Sequence, residues 1–472
     1  MGMSDVDVLV IGGGVSGLAT AWWLSQAGLT VEVWEREQQP GGRIGSHRKS
    51  GYLLERSASL VMNSRPDVGR FMAETGLAAS KAPAPSRPAR YTVHEGRLEA
   101  VPASFGAMFT SPTWSLGGRL RLALEPFIPA GGNARETVSE FVTRRLGREM
   151  LERAIDPYIA GPLASDPDAA NAYSVLPRLT ALERRYGSLG VGMIVHKLLR
   201  RRSASVAEAF SFQGGMSTMI KTLANAPGVH FRPGRAATEL RPEGKGWRIE
   251  GVSRAGEHSL RARQLVLSAP ATAAAALTAP LDADLSRHLV EIEYAPVSVV
   301  HMGFARDAVD HPLNGNGFLA SRRAGYAVTG SLWMSSVFSD RAPDGKVLLT
   351  NYLGGSRCPE VLGWDDERSA AEVLATLSPL LGIKGEPEMV HIDRHDRALP
   401  LYHGAYFARM QAIDERLQRL PGLHLEANYR GGVSVRDRIA CGYAAARRIV
   451  AALGCKQGSG CGATEAAEVF SL

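Results

Sequence analysis

A buried strand that leads directly into a glycine-rich turn and a helix opens the chain, and this feature restricts the fold more than any other. Residues 5–11 end in the apolar run Val-Leu-Val-Ile, and Gly12, Gly14 and Gly17 follow at the spacing G-x-G-x-x-G. The first glycine permits a tight turn, the second lets backbone approach a pyrophosphate, and the third lets helix and strand pack closely. The pattern predicts an α/β domain that binds a dinucleotide at a helix N-terminus.

A second predicted strand, residues 30–34, ends beside Glu35. The Glu35 carboxylate can accept hydrogen bonds from both hydroxyl groups of an adenosine ribose, and it would repel a 2′-phosphate. NADP is therefore disfavoured, although Arg36 is adjacent. Val15 and Ser16, which lie between the last two glycines, are predicted to contact the cofactor together with Glu35 and Arg36.

The segment after Glu35 favours FAD over NAD. Gly41, Gly42 and Arg43 follow Pro40, and this arrangement resembles the E-x(5)-GGR motif of the flavoprotein family that contains monoamine oxidases, carotenoid desaturases and protoporphyrinogen oxidases. Two glycines allow backbone N–H groups to reach an anion, and the arginine adds a permanent positive charge. The resemblance implies FAD as the cofactor. Because the chain lacks the cysteine motif to which monoamine oxidases attach flavin, the FAD is expected to be non-covalent.

The chain has 472 residues, which exceeds the usual size of one domain. Hydrophobic residues make up 45% of the chain and charged residues 21%, and this composition excludes a disordered chain. The pattern predicts an α/β protein with a discontinuous Rossmann-like FAD-binding domain, a mixed-sheet α+β substrate domain and an inserted helical lobe. The predicted FAD-binding domain comprises residues 1–88, 205–285 and 415–472, the substrate domain 89–99 and 286–414, and the helical lobe 100–204.

The charge distribution is uneven. Residues 90–202 contain 16 Lys and Arg against 11 Asp and Glu, which accounts for most of the net charge of +7. A basic segment suits nucleic acid, anionic lipid, an acidic small molecule or a solvated face, but no nucleic-acid motif accompanies it. Four cysteines and the lack of a recognisable signal peptide predict a cytoplasmic protein.

Further segments resemble the protoporphyrinogen oxidases within the family, in the same order over essentially the whole chain. Examples are Arg90-Tyr91, residues 158–161 (Tyr-Ile-Ala-Gly) and residues 212–216 (Phe-Gln-Gly-Gly-Met). In that group FAD takes electrons from a porphyrinogen in three two-electron steps and passes them to oxygen. The resemblance therefore implies that protoporphyrinogen IX is converted to protoporphyrin IX in haem biosynthesis, with hydrogen peroxide as the second product.

The resemblance also assigns substrate contacts. Arg90 would meet a propionate, Leu319 and Leu332 would sandwich one pyrrole ring, Tyr352 would stack on another ring, and Gly161 would face the pyrrole nitrogens. An apolar slot with few polar anchors suits such a substrate, and arginine pairs with carboxylates bidentately. No side chain is assigned as a catalytic base, because flavin N5 accepts the hydride and the pyrrole nitrogens can release their own protons. The remaining flavin contacts implied by the resemblance are Ala236, Ala269, Asn428, Gly432 and Val433.

Several positions depart from the family pattern. Residues 57–59 are Ser-Ala-Ser where Gly-Pro and then Asn or Asp are usual, and Ala427, Arg438 and Tyr406 replace a glycine, a cysteine and a histidine. These departures leave open an oxidase of coproporphyrinogen or another pyrrolic compound, or an amine oxidase. Arg90 argues against a carotenoid desaturase. A flavin-stabilised tetrapyrrole carrier without turnover is the alternative outside the enzymes, and a homodimer is left open.

Two weaker patterns complete the predictions. His391, Asp393 and His395 would share one face of a strand, which a metal could exploit, but simple pairing is the preferred interpretation and no metal is assigned. Residues 105–129 combine many apolar and aromatic side chains with few charges inside the basic lobe. This segment predicts peripheral association with the cytoplasmic face of a membrane, and packing into a helical core is the alternative.

Overall fold

The computed structural model describes residues 5–85, 89–101, 114–199 and 208–454. Two seven-stranded sheets organise this part of the chain. The first sheet carries the glycine turn, and the second carries most of the predicted substrate residues. A group of helices within residues 116–199 lies beside the second sheet.

The first sheet has the order β10-β2-β1-β13-β12-β11, and β19 also pairs with the end of β13. Its central part, from β10 to β13 and on to β19, is parallel, whereas β11 and β12 form an antiparallel extension. The apolar run of β1 is buried because helices cover both faces of the sheet. The strands are β1 (Asp5–Ile11), β2 (Val31–Glu35), β10 (Val229–Pro233), β11 (Ala236–Glu243), β12 (Gly246–Ser253), β13 (Gly256–Leu267) and β19 (Leu423–Leu425).

Two apolar cores hold helices against this sheet. Helices α1, α2, α10 and α16 share one core, and α11, α12 and α15 share the core on the opposite face. Helix α16 packs closely on α1, since a Cβ at Gly442 would lie 3.0 Å from the Thr20 nitrogen. These helices are α1 (Val15–Gln26), α2 (Pro66–Glu74), α10 (Ser217–Ala224), α11 (Ala271–Thr278), α12 (Ala283–Val290), α15 (Tyr406–Leu417) and α16 (Val435–Ala452).

The second sheet has the order β18-β14-β17-β16-β15-β7-β8 and is antiparallel except for the pair β15 and β7. Helix α14 (Asp366–Leu381) covers one face with an apolar core. The first sheet and the helices that pack on it form one body of the molecule, called the first body. The opposite face of the second sheet is turned toward this body, and it carries polar and half-buried side chains. The strands are β7 (Ala89–His94), β8 (Arg97–Ala100), β14 (Tyr294–Ala305), β15 (Gly315–Ala320), β16 (Val328–Trp333), β17 (Lys346–Gly354) and β18 (Met389–Pro400), and the short helix α13 (Met334–Val337) follows β16.

The inserted lobe is helical, as predicted, and has its own apolar core. Its buried Arg145 contacts Glu125, which also accepts hydrogen bonds from Ser188 Oγ and the Leu189 and Gly190 nitrogens. The helices are α3 (Leu116–Ala123), α4 (Val138–Leu146), α5 (Arg148–Met150), α6 (Asp156–Ala160), α7 (Ala172–Val175), α8 (Pro177–Tyr186) and α9 (Leu189–Leu199). Two small sheets join the bodies: β3 (Ser46–Lys49) with β4 (Tyr52–Glu55), and β5 (Val61–Asn63), β9 (Glu208–Phe212) and β6 (Lys81–Pro83).

The predicted elements are present, with shifted ends. The apolar pattern of the sequence predicts the first helix from residue 18, whereas α1 starts three residues earlier because Gly14 is its N-cap. Strand β2 includes Glu35, which pairs with Pro233 of β10. The boundaries predicted at residues 285 and 414 fall inside α12 and α15. Both helices pack on the first sheet.

Among the described residues, no helix has both the length and the apolar character needed to cross a membrane.

Candidate flavin site and substrate face

The turn between β1 and α1 can be built only with glycine at two positions. Gly12 has φ +112°, and a Cβ there would lie 2.8 Å from the Ser268 carbonyl oxygen. A Cβ at Gly17 would overlap the Gly12 carbonyl oxygen. Gly14, in contrast, faces open space, since the protein atom nearest to a Cβ at this position would be Gly41 O, 4.0 Å away. The backbone at Gly14 is therefore accessible to a ligand.

Helix α1 directs its free N–H groups toward this space. Gly14 is the N-cap, and no side chain caps the helix. The first N–H groups of a helix have no intrahelical acceptor, so those around Val15 and Ser16 are available to an anion. Together with the positive end of the helix dipole, they form a site suited to a pyrophosphate.

Glu35 lies at the end of β2, beside this turn. Its buried carboxylate accepts hydrogen bonds from the Gly13 nitrogen at 2.7 Å and the Glu37 nitrogen at 2.9 Å. These bonds hold the carboxylate next to the glycine turn, where a ribose would follow the pyrophosphate. Arg36 has an exposed side chain that pairs with Glu37 at 3.2 Å.

The second glycine motif folds back onto the first. The Gly41 nitrogen donates to Gly13 O at 2.8 Å, and a Cβ at Gly42 would lie 3.5 Å from the Gly14 Cα. Gly41 and Gly42 have φ +116° and +60°. Arg43 is half-buried, with its guanidinium 5.9 Å from the centre of the Tyr294 ring. The structure thus brings together two motifs that the intervening strand β2 separates along the chain.

Two alanines from the returning strands border the same turn. Ala269 follows β13, and its nitrogen would lie 3.2 Å from a Cβ at Gly12. Ala236 begins β11, directly after Arg235, whose nitrogen donates to Glu35 O at 2.8 Å. Small side chains at both positions leave the space around the turn open.

The C-terminal contacts are on the loop between β19 and α16. Gly432 has φ +102°, and a Cβ there would lie 2.6 Å from Asp437 Oδ2. Asn428 and Val433 are half-buried on the same loop, and Ser434 caps α16. Ser268 links this loop to the glycine turn, since its nitrogen donates to Ile11 O at 2.7 Å and its hydroxyl to Glu426 O at 2.6 Å. The loop therefore ends at the positive N-terminus of a long helix.

Two of the departures from the family pattern brace this loop. Arg438 is fully buried and donates to Ala427 O at 2.6 Å and to Arg430 O. The buried Tyr406 hydroxyl donates to Tyr429 O. Sequence reasoning noted both substitutions only as departures, and an arginine on an otherwise apolar helix face was the available signal for a bracing role.

The residues present fit FAD. A Cβ at Gly14 would point into open space, and Glu35 at the end of β2 lies beside this space. The N-terminus of α1 lies at the glycine turn, and the N-terminus of α16 lies at the C-terminal loop. An extended dinucleotide needs this sequence of contacts: an acid for a ribose, N–H groups for the pyrophosphate and a positive helix end for the ring.

The predicted substrate residues share one face of the second sheet. The pairing places Leu319, Gly330 and Tyr352 side by side across β15, β16 and β17, and Leu332 is two residues from Gly330 on the same face. The side chains of Leu319, Leu332 and Tyr352 are half-buried, whereas the side chains on the opposite face of the sheet are buried in an apolar core. Gly161 contacts this row, since a Cβ there would lie 2.5 Å from Leu319 Cδ2.

Tyr352 also reaches the first body. Its hydroxyl lies 3.2 Å from Ser59 Oγ, one of the serines that depart from the family pattern. Burial raises the pKa of Tyr352 to about 12, so the phenol is neutral at physiological pH. The ring therefore offers an apolar surface on the sheet and a hydroxyl anchored at the junction between the two bodies.

Arg90 is at the end of the row. Thr92 pairs with Leu319, and Arg90, two residues earlier on β7, is on the same face with an exposed side chain. Among the residues that the structure describes, the Arg90 guanidinium has no ion-pair partner. It is available to an anionic substituent at the rim of the face.

Glu55 is a buried carboxyl group to which the sequence analysis assigns no role. Its Oε atoms accept from Ser46 Oγ at 2.6 Å and from the Met216 nitrogen at 3.0 Å, and Arg341 lies 3.4 Å away. Burial raises the pKa of Glu55 to about 7 despite these partners. The apolar run of β4 before it was the available signal, because an acid at the end of such a run needs partners.

Comparisons with known proteins agree with this geometry. Residues 15–450 match the family model of flavin containing amine oxidoreductases. The chain is 30% identical to protoporphyrinogen oxidase 2 of Arabidopsis thaliana over 96% of this chain and 95% of that protein. It is 27% identical to the coproporphyrinogen III oxidase of Bacillus subtilis, over 94% and 98% of the respective chains.

Solved structures show the same fold at lower identity. A structure from Exiguobacterium sp. 255-15 is 22% identical, with a TM-score of 0.76 over 96% of this chain and all of that chain. Cyclohexylamine oxidase from Brevibacterium oxydans IH-35A is 17% identical, with a TM-score of 0.67 over 96% and 100% of the two chains. The predicted fold class and the FAD cofactor are confirmed, and the chain belongs to the flavin-containing amine oxidoreductases, a family of FAD-dependent enzymes.

Proposed function

We propose that this protein oxidises a porphyrinogen, protoporphyrinogen IX in the first instance, with oxygen as the acceptor and hydrogen peroxide as the product. The observation that carries the proposal is the half-buried face formed by Leu319, Leu332 and Tyr352, with Gly161 against it and Arg90 at its rim. This part of the face combines apolar side chains with the Arg90 cation at its rim, which suits a large carboxylate-bearing ring. The similarity to oxidases of two porphyrinogens supports the same substrate class.

The chemistry requires that hydride leave a porphyrinogen carbon. FAD supplies the acceptor for that hydride when it is bound. The protein's own contribution is to position and to stabilise charge: Arg90 would hold a propionate, and the Leu319 and Leu332 side chains would exclude water from the ring. The N-terminus of α16 would stabilise negative charge that develops nearby.

Proton removal needs no side-chain base in this scheme. On the part of the face that the structure describes, the titratable group beside the two leucines is the neutral phenol of Tyr352. The pyrrole N–H groups of the substrate can release their own protons as the ring is oxidised. We therefore assign positioning rather than acid-base roles to the substrate face.

An aerobic turnover assay tests this proposal. Purified protein is mixed separately with protoporphyrinogen IX, coproporphyrinogen III and a panel of amines, while porphyrin fluorescence and peroxide are recorded. Porphyrin and peroxide should form with a porphyrinogen and not with amines. Faster turnover of coproporphyrinogen would correct the substrate, and binding without turnover would indicate a carrier.

The FAD should be non-covalent. Within the described residues, the cysteine closest to the C-terminal loop is Cys441, whose half-buried sulfur is 3.6 Å from Gly431 O and whose pKa is raised by burial. Such a thiol is a poor nucleophile. Acid precipitation should leave free FAD in a yellow supernatant, and flavin retained in the pellet would contradict this expectation.

We also propose that the helical lobe places the protein on the cytoplasmic face of a membrane. Leu116 and Leu120 on α3 and Phe127 just after it are 82%, 61% and 81% exposed, and Ile194 on α9 of the same lobe is 61% exposed. Part of the predicted segment packs as core, since Trp114 and Leu122 are buried, and residues 105–113 lie outside the described residues. Exposed apolar side chains in a basic lobe suit an anionic bilayer surface.

Flotation with phosphatidylserine vesicles at low salt tests the membrane proposal. Wild-type protein should float with the vesicles, and a Leu120→Glu, Phe127→Glu double variant should remain at the bottom with its FAD content unchanged. Val290→Glu is the matched control, because Val290 is 61% exposed on α12, outside the lobe. Flotation of the double variant equal to wild type would exclude this surface.

A further inference from the structure

Two histidines and an aspartate from distant parts of the sequence meet beside the second sheet. His391 and Asp393 are on β18, and His47 is on β3 of the small sheet that packs against it. One ligand atom from each residue lies within 4.8 Å of the corresponding atoms of the other two. His391 pairs with His301 of β14 in the sheet register.

The separations suit one small cation. His391 Nε2 is 3.4 Å from Asp393 Oδ2. Ligands bound at the usual Zn–N and Zn–O distances in a tetrahedral site are about 3.4 Å apart. The rings of His47 and His391 have centres 4.5 Å apart and are inclined at 73°, so they do not stack face to face.

Polar atoms at the cluster lack hydrogen-bond partners within the described residues. His47 Nε2 and Asp393 Oδ2 are both buried, and neither takes part in a hydrogen bond. The same is true of His301 Nε2, which belongs to a fully buried ring and is 3.8 Å from Asp393 Oδ2. Leaving buried polar atoms unpaired is costly, and a metal ion would satisfy those of the cluster.

Neighbouring groups orient the cluster. Arg56 Nε lies 3.4 Å from the other carboxylate oxygen, Asp393 Oδ1, which leaves Oδ2 directed at the histidines. His301 Nδ1 is paired with Thr350 Oγ1 at 2.9 Å. Lys49 is nearby, but its ammonium group donates to Val390 O at 2.8 Å. Such supporting contacts are characteristic of metal sites, whose ligands are held by a second layer of hydrogen bonds.

We propose that His47, His391 and Asp393 bind one divalent transition-metal ion of the Zn²⁺ class, with His301 behind Asp393. Imidazole nitrogens with a single carboxylate favour Zn²⁺, Co²⁺ or Ni²⁺ over Ca²⁺ or Mg²⁺, which prefer oxygen ligands. The ion would join β3 of the small sheet to β18 of the second sheet. The cluster shares a face of the second sheet with the substrate residues, because the register aligns His391, His301, Thr350 and Leu332 across neighbouring strands. None of its three ligands is a proposed substrate contact, so metal binding can be tested independently of the proposed function.

The sequence pattern pointed to His391, Asp393 and His395, and the structure replaces the third residue. His395 Nε2 is 2.7 Å from Arg56 O and is not part of the cluster. His47 takes its place through a long-range contact that no spacing along the chain could reveal.

Calorimetric titration of the FAD-loaded, chelator-treated protein with Zn²⁺ alone, near neutral pH, tests the site. We expect one ion per chain, and we expect His391→Ala and Asp393→Asn each to weaken binding by more than about 100-fold, beyond the usual effect of losing an outer contact. His230→Ala is the matched control, because this histidine is exposed on β10 of the first body. It should bind Zn²⁺ as wild type does.

Two further readouts keep the test decisive if a variant is unstable. Zn²⁺ should raise the melting temperature of wild-type protein and not that of Asp393→Asn, and Co²⁺ should give a visible absorption band that only the intact cluster produces. No saturable binding by the wild type, or equal affinity in His391→Ala and wild type, would overturn the proposal. If the wild-type protein binds Zn²⁺ but does not oxidise a porphyrinogen, the proposed function is refuted and the metal site is not.

Discussion

Replacing Gly14 by alanine separates the cofactor role of the glycine turn from its structural role. The backbone at Gly14 is extended, with φ −76° and ψ 176°, which alanine adopts freely. A Cβ there would meet no protein atom closer than 4.0 Å, so the fold should tolerate it. The methyl group would instead occupy the space from which a pyrophosphate contacts the N-terminus of α1. Losing one hydrogen bond to a charged group costs about 1.5–3 kcal/mol, which corresponds to an FAD affinity roughly 10- to 150-fold weaker.

Reconstitution of apoprotein with FAD, followed by flavin fluorescence, measures this loss. Gly69→Ala is the matched control, because Gly69 is in the interior of α2 and a Cβ at this position would have no atom within 4 Å. It should bind FAD like wild type and unfold at slightly higher temperature, since alanine favours helix by about 1 kcal/mol over glycine. Wild-type FAD affinity in Gly14→Ala would refute the placement of the pyrophosphate. Unfolding of Gly14→Ala would refute the claim that this space is free.

Three other substitutions test the substrate face and the buried charges. Arg90→Ala should lower kcat/KM for a porphyrinogen by about 2–3 kcal/mol of transition-state stabilisation, whereas Arg97→Ala, an exposed arginine on β8, should not. Burial raises the pKa of Glu55 from 4.5 to about 7, so its stability contribution is complete below pH 4.5 and is lost as the pH rises through 7. Between pH 4.5 and 7 the unfolding free energy of the wild type should therefore fall by about 3 kcal/mol more than that of Glu55→Gln. Equal pH profiles of the two proteins would contradict this expectation. Arg438→Ala should lower the unfolding free energy by about 2–4 kcal/mol, because two carbonyl acceptors lose their donor, and denaturant titration checks this value.

Local chemistry made the nucleotide-binding part of the fold predictable. The strand, the glycines, the helix and Glu35 follow one another within a short stretch, and each residue type has a steric or electrostatic reason to be there. The short apolar stretch at residues 423–425 likewise predicts a strand, and β19 occupies these residues. Element ends were less predictable, because they depend on caps and on pairing with distant strands. The apolar pattern alone, for example, predicts the last helix from residue 433, but Ser434 caps α16, so this helix begins at Val435.

Long-range contacts explain what sequence reasoning missed. The link from Tyr352 to Ser59, the partners of Glu55 and the meeting of His47 with His391 all join segments whose separation along the chain carries no pattern. The exposed and buried residues of the 105–129 segment were also inseparable by sequence, since apolar spacing is the same for a core stripe and a membrane stripe. Only the packed lobe distinguishes buried Trp114 from exposed Phe127.

Anaerobic titration of the FAD-loaded protein with protoporphyrinogen IX is the sharpest test of porphyrinogen oxidation by this flavoprotein. Without oxygen, each porphyrinogen can deliver its electrons only to the flavin, and conversion to the porphyrin requires three two-electron transfers. We expect flavin absorbance to fall as porphyrin absorbance rises, with about three flavins reduced for each porphyrin formed, and we expect air to restore the flavin. A flavin that stays oxidised with protoporphyrinogen IX and coproporphyrinogen III but is reduced by an amine would show that the substrate is not a porphyrinogen.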